Sequence, residues 1–330
     1  MEYRSLGNTE LRVSAIGFGC GAVGGLMIKG SPAERARAVA CAVDLGVTYF
    51  DTAAAYGSGT SESNLGQALA ETGAEVVVGT KIVLAPEDLN DIDAAVERLV
   101  DQSLRRLGRD RVDLMQLHNP IGIVRGQNLG WLALEDVSRV LQAFSRLGQM
   151  GKLRFWGING LGDIAAVQRA VARDQMHSIQ ICHNLLNPTA AVPSPEAFPF
   201  PDQRRLIGKA AALGTGVIAF RILAGGALSG TVERHSNASR GVETIVTSSG
   251  YETDVQFAQR LNPVIASGFA GDLVEASIRF AVGTPGVSMA VVGVSTVDQM
   301  EQAVRHAGKG PLPEAALQTL EKQWAGFRAP

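Results

Sequence analysis

Two hydrophobic rhythms alternate along this 330-residue chain. Short apolar, β-rich runs recur eight times, at residues 13–19, 47–50, 76–81, 112–117, 153–158, 179–184, 217–221 and 289–293. Between and after them the period changes to that of an amphipathic helix, at 32–45, 62–71, 92–107, 132–147, 164–172, 203–213, 273–282 and 297–307. The clearest case is Ile92, Ala95, Val96, Leu99, Val100, Leu104 and Leu107, closed by Gly108, which keeps one face apolar over four turns and then stops on a residue suited to a helix end. Eight strand–helix alternations with no break in composition predict an α/β chain, a single (β/α)8 TIM barrel over residues 1–330, rather than an open doubly wound sheet. An N-terminal hairpin over 6–13, with Gly7-Asn8 as turn residues, and an extra C-terminal helix over 313–324 complete the expected layout. Two stretches are too long for plain connections: the Pro-rich 188–201 and the Gly/Ser/Asn-rich 225–271. They follow the sixth and seventh strands, so they are expected as loops at the barrel mouth, where ligands bind.

The strand ends carry the chemistry. The second strand runs into Asp51, the third into Lys81 and the fourth into His118, and the loop after the second supplies Tyr56. A barrel brings such residues to one pit however far apart they lie in sequence. A phenol ordinarily titrates near ~10, too high for efficient proton exchange at neutrality. An ammonium ~4 Å away contributes about 4 kcal/mol at an effective dielectric of ~20, or roughly 3 pKa units. The expectation is therefore that Lys81 brings Tyr56 towards neutral pH, with Asp51 orienting Lys81 and a neutral His118 positioning a substrate oxygen. Such a quartet delivers a proton to a carbonyl oxygen but supplies no electrons, so a redox cofactor is implied.

Composition narrows the setting. A net charge of −2 leaves no footprint for nucleic acid, no apolar run is long enough to span a membrane, and Met1-Glu2-Tyr3-Arg4 lacks the pattern of a signal peptide. Cys20, Cys41 and Cys182 are dispersed, which fits reduced thiols in a cytoplasmic protein. No second cluster accompanies Cys182-His183, so no metal is expected. His177, His235 and His306 read as surface residues, and His183 as a packing residue within the sixth strand. The run Gly19-Cys20-Gly21-Ala22-Val23-Gly24 matches the glycine pattern of a Rossmann dinucleotide site, but that pattern needs a helix opening at its third glycine. Gly25, Gly30 and Pro32 follow instead, so Gly19, Cys20 and Gly21 are expected to form a turn whose backbone lies close to a ligand.

Taken with Phe50-Asp51-Thr52-Ala53 through Tyr56-Gly57, Gly79-Thr80-Lys81, Val112-Asp113-Leu114 through His118, Leu223-Ala224-Gly225-Gly226 and Gly293-Val294-Ser295 with Gln299, the chain resembles the aldo-keto reductases over nearly its whole length. The resemblance implies a barrel that binds a nicotinamide cofactor without a Rossmann domain. It implies a catalytic tetrad of Asp51, Tyr56, Lys81 and His118, with Asp51 also beside the cofactor. It places Gln180 and Asn159 at the nicotinamide carboxamide and Phe220 against its ring. Leu223, Gly225, Gly293, Ser295 and Gln299 fall along the rest of the cofactor. Asn159-Gly160 stands where the family has Ser-Asn. Arg221 replaces a small polar residue, which puts a guanidinium near the pyrophosphate. The cofactor implied is NADP(H). NAD(H) is the alternative, because the positions of the family's 2′-phosphate Lys and Arg read Gly293 and Gln299, and its late Asn reads Ala303. The implied activity is hydride transfer between nicotinamide C4 and an aldehyde, ketone or sugar carbonyl, with Tyr56 as general acid or base. Two alternatives stand beside it: an NAD-dependent aldose or alcohol dehydrogenase working oxidatively, and a slow-turnover NADP(H)-binding redox sensor. The partner is a small carbonyl or alcohol; substrate identity lies in the loops 120–131, 186–202 and 225–271, and oligomeric state is left open.

Overall fold

In the computed structural model, which describes residues 1–126 and 128–328, eight parallel strands close into a barrel in chain order. Residue 127, inside the expected 120–131 substrate loop, lies outside the described residues. The strands are β1 (Ile16–Gly19), β2 (Tyr49–Asp51), β3 (Val77–Ile82), β4 (Val112–Leu117), β5 (Leu153–Asn159), β6 (Ser178–Cys182), β7 (Gly216–Phe220) and β8 (Met289–Gly293). Closure is made where β8 pairs with β1, Gly293 lying opposite Gly19. The helices that follow each strand are α1 (Pro32–Asp44), α2 (Thr60–Thr72), α3 (Ile92–Leu107), α4 (Leu134–Gln149), α5 (Ile164–Arg173), α6 (Leu206–Ala212), α7 (Leu273–Gly283) and α8 (Val297–Gly308). None is long and apolar enough to cross a membrane.

Local chemistry sets the boundaries. In α3, Asp91 accepts a hydrogen bond from the Ala94 N–H at the start, and Gly108 ends the helix with a φ of 63°, a conformation open to glycine at no steric cost. The apolar stripe read from the sequence faces the strands: Ile92, Val96, Val100 and Leu107 are all buried. The expected strand 13–19 divides in two. Arg12–Ser14 pairs back on Tyr3–Ser5 as the hairpin, because the Ser14 hydroxyl donates to the Ile16 carbonyl at 2.6 Å and turns the chain at Ala15. Leu6, Leu11 and Val13 of this hairpin pack on Tyr49, Leu114, Ile218 and Met289, plugging the barrel floor. The sixth strand stops at Cys182, so His183 lies beyond it.

The stretch 225–271, expected as loop, contains helices at Tyr251–Gln259 and Pro263–Ala266. Its glycines and serines mask an apolar set, Val255, Phe257, Ala258 and Leu261, that packs with Phe200, Trp324 and Phe327. The C-terminal helix, Glu314–Ala325, closes this second core, and Trp324 Nε1 donates to the Leu185 carbonyl at 2.7 Å.

Inside the barrel, Tyr49 on β2 is fully buried and lies across Gly79 of β3. A Cβ at Gly79 would sit 2.0 Å from the Tyr49 hydroxyl, so the ring fits only because β3 has no side chain there. Gly79→Ala is therefore expected to lower stability by about 1–3 kcal/mol through overpacking, measured by urea unfolding. A variant as stable as the parent would show that Tyr49 has room to move.

Candidate active site

Four side chains from three strands and one turn meet at the C-terminal end of the barrel. Asp51 is the last residue of β2, Lys81 the last but one of β3, and His118 the first beyond β4. Lys81 is wholly enclosed; its Nζ donates to Asp51 Oδ1 at 2.5 Å and to the Thr52 carbonyl at 2.8 Å. The same Nζ lies 5.0 Å from the centroid of the Tyr56 ring. His118 meets Tyr56 edge-on, ring centroids 5.7 Å apart. The two groups that the sequence pairs, phenol and ammonium, thus share one site.

The turn carrying Tyr56 is held from behind. Ser61 Oγ donates to the Cys20 carbonyl at 2.9 Å and shares a hydrogen bond with Thr52 Oγ1 at 2.8 Å. Next to it Glu62, fully buried at the start of α2, accepts from Thr80 Oγ1 at 2.5 Å and from Arg106 Nε at 2.6 Å. Thr80 adjoins Lys81 on β3, so one carboxylate joins the helix behind Tyr56 to the strand bearing Lys81.

The electrostatics correct one expectation. Burial pulls Lys81 down, but Asp51 and Tyr56 outweigh it and hold the ammonium above its ordinary range. Tyr56 is not brought towards neutrality. Burial raises its phenol above the usual 10, Lys81 lowers it, and the Asp51 carboxylate raises it again. Desolvation and the neighbouring anion, which strand-end spacing does not register, together outweigh the ammonium. In this structure Tyr56 is a firmly protonated acid. Burial, with the Lys81 charge, drives His118 down to about 3, so it is neutral, and its buried Nδ1 has no partner among the described residues.

A cavity of about 390 Å³ opens from this cluster. Its wall includes Gly19, Gly21, Asp51, Tyr56, Gln180, Phe220, Arg221, Leu223, Gly225, Gly293, Ser295 and Gln299. Of the residues proposed from the sequence, Lys81, His118, Cys20 and Asn159 border the site without being part of that wall. Cys20 is buried, its N–H bonded to the Asp51 carbonyl at 2.8 Å. Asn159 pairs in register with Gln180 between β5 and β6, and its buried Oδ1 has no partner among the described residues. Gln180 Nε2 donates to Asp51 Oδ2 at 2.5 Å. Arg221, at a φ of 55°, donates through Nη1 to the Glu243 carbonyl.

No helix opens at Gly24: Leu26–Lys29 is a single turn, and α1 begins at Pro32. The glycine run is a turn pressed against its neighbours, since a Cβ on Gly25 would fall 1.9 Å from the Asn237 carbonyl oxygen. That disposes of the Rossmann reading.

Glu233, Arg234, His235 and Tyr251 also line the wall, and the strand-end pattern singles out none of them. Arg234 donates to the Ser239, Gly225 and Val23 carbonyls and lies over the Tyr251 ring, 5.0 Å from its centroid. The one available signal in the sequence is a charged triplet inside a Gly/Ser-rich stretch. His306, expected at the surface, is buried beside Glu275 at the foot of α8.

Known proteins give the family. The Aldo/keto reductase family model matches residues 15–325. The chain belongs to that family. L-galactose dehydrogenase of Arabidopsis thaliana is 34% identical over 165 residues, and aldo-keto reductase YhdN of Bacillus subtilis is 34% identical over 194. The matched stretches cover 49% and 56% of this chain, and the chain spans only about half of each relative, 49% and 54%. The holo form of aldo-keto reductase AKR11C1 from Bacillus halodurans superposes with a TM-score of 0.73 at 23% identity, over 100% of this chain and 98% of that one; it supports the barrel fold.

For this aldo-keto reductase the titration directions fix a pH profile. The acid form of Tyr56 is complete below its raised pKa and is lost only as pH rises through it. His118 stays neutral at any pH well above about 3. Activity in the carbonyl-reducing direction is thus expected to be level from about pH 6 to 9, without a histidine inflection near ~6.5. A step there in kcat/KM would contradict the assignment of charge in this site.

Proposed function

We propose that the chain reduces a small carbonyl compound, an aldehyde, ketone or sugar, with a nicotinamide dinucleotide as hydride source. The juxtaposition of Tyr56 with the buried Lys81–Asp51 pair carries the reading. The bound dinucleotide would supply the hydride; the chain supplies the rest. Tyr56, protonated, would give its proton to the carbonyl oxygen, and the ammonium of Lys81 would stabilise the phenolate left behind. Asp51 keeps that ammonium in place. The neutral His118 would orient the substrate oxygen through a ring N–H.

The residues present fit the cofactor. The unsatisfied Asn159 Oδ1, with Gln180 beside it, offers amide groups to a carboxamide. Phe220 lies in the cavity wall for the ring, and the Arg221 guanidinium lies in the same wall for a pyrophosphate. Gly19, Gly21, Leu223, Gly225, Gly293, Ser295 and Gln299 continue the wall beyond it. Burial and the Asp51 carboxylate hold the Tyr56 phenol above its ordinary range, so it is present as the acid that reduction uses.

Tyr56→Phe keeps the ring and removes the proton. Dinucleotide binding, followed by quenching of tryptophan fluorescence, is expected to stay within about twofold of the parent, while kcat for aldehyde reduction falls by about 10²–10⁴. Full activity in this variant would refute the role given to Tyr56.

A further inference from the structure

Beneath the meeting of Asp51, Lys81 and Tyr56 the barrel makes room for one large polar ring. Tyr49, on β2 two residues before Asp51, is wholly buried among Leu6, Leu114, Ile218 and Met289 of the barrel floor. Glycines on both neighbouring strands clear its slot. A Cβ on Gly79 of β3 would lie 2.0 Å from the hydroxyl and 2.7 Å from Cζ, and one on Gly17 of β1 would lie 3.0 Å from Cδ1. Packing by itself asks for no hydroxyl there, since a phenylalanine ring fills the same slot, and a buried hydroxyl without a partner costs free energy. This hydroxyl has a partner: it donates to Asp51 Oδ2 at 3.3 Å. Burial and the Asp51 carboxylate both hold the phenol well above its ordinary range, so it stays a donor.

The Asp51 carboxylate is thereby gripped on both oxygens. Oδ1 accepts from Lys81 Nζ at 2.5 Å. Oδ2 accepts from Gln180 Nε2 at 2.5 Å as well as from Tyr49. The two donors on Oδ2 differ in where they stand. Gln180 lines the cavity, where a ligand competes for its amide, whereas Tyr49 has no exposure and is not part of that wall. With no donor from below, a carboxylate that lost Gln180 would be free to rotate. Lys81 would then lose the partner that offsets the cost of its burial.

We infer that Tyr49 is a positioning residue: its hydroxyl holds Asp51 from the barrel floor, so that Oδ1 stays on Lys81 when a ligand draws Gln180 away. The inference rests on the function proposed above and adds a residue to it. Tyr49 is sealed from both dinucleotide and carbonyl. It acts through Asp51 and Lys81 on the charge presented to Tyr56.

Tyr49→Phe keeps the ring and removes the donor. Ile218→Val trims the same floor without touching a polar group, so it reports what looser packing alone does. Two readouts are taken on the parent and both variants. The first is proton exchange of the Lys81 ammonium, followed by NMR of lysine-labelled chain, free and with NADH or NADPH, the signal being assigned by its absence in Lys81→Arg. The second is steady-state reduction of benzaldehyde. In Tyr49→Phe the Lys81 protons are expected to exchange about tenfold faster than in the parent once dinucleotide is bound, the effect of losing one hydrogen bond to a charged group. Its kcat is expected to fall by about tenfold while KM and dinucleotide affinity stay within about twofold, the pattern of a lost transition-state interaction. Ile218→Val is expected to lower the Tm and to leave exchange and kcat within about twofold of the parent. A parent-like value of either readout in Tyr49→Phe overturns the inference and leaves the proposed function intact. So does an Ile218→Val variant that moves both readouts as far, because the effect is then one of packing. A parent that binds dinucleotide but leaves benzaldehyde unreduced counts against the proposed function, and the exchange readout then decides this inference alone. A parent that binds neither dinucleotide overturns both.

Discussion

A lysine ammonium with no exposure to water holds this site together. Moving such an ion out of water carries an effective penalty of several kcal/mol, and Lys81 is tolerated in the barrel only because Asp51 and the Thr52 carbonyl meet it at hydrogen-bond distance. The pair is weak evidence of stability, since a well-packed apolar substitute of equal volume is often as good. Under the proposed function the pair serves chemistry rather than stability. A fixed positive charge under the Tyr56 ring costs no reorganisation when negative charge develops on the phenol oxygen.

The same constraint explains why Tyr56 does not titrate near neutrality. Asp51, needed to keep Lys81 charged, opposes the effect of Lys81 on the phenol, and burial adds to it. The site therefore stores its proton on tyrosine and keeps the histidine neutral. Gln180 takes part in this balance, because its amide occupies the other Asp51 oxygen. The carboxylate has a partner on each side and cannot turn away from the lysine without losing one.

The barrel was legible in the sequence because its two hydrophobic periods differ so clearly. The apolar spacing of 92–107 and the run at 289–293 match the observed bounds of α3 and β8 to the residue. The meeting of Asp51, Tyr56, Lys81 and His118 was legible too. Burying a charge at the end of an apolar strand is costly unless a partner meets it, and Asp51 and Lys81 lie at the ends of two successive strands. Three features escaped. The helix Tyr251–Gln259 was hidden among glycines and serines, because its burial is supplied by Phe200 and Phe327, far away in sequence. The division at Ala15 depends on one serine hydroxyl reaching two residues along. His306 lacked any mark of burial, since what encloses it is the neighbouring helix α7. In each case the deciding partner is non-local or a single side-chain contact, and a period cannot register either.

The buried Glu62 has a consequence of its own. By binding Thr80 and Arg106 at once, it locks a helix to a strand and to the next helix directly behind Tyr56. The tyrosine's neighbourhood is thereby tied into the folded barrel, so under the proposed function its alignment would precede substrate binding. On that reading the entropic cost of alignment would be met once per molecule synthesised rather than once per turnover.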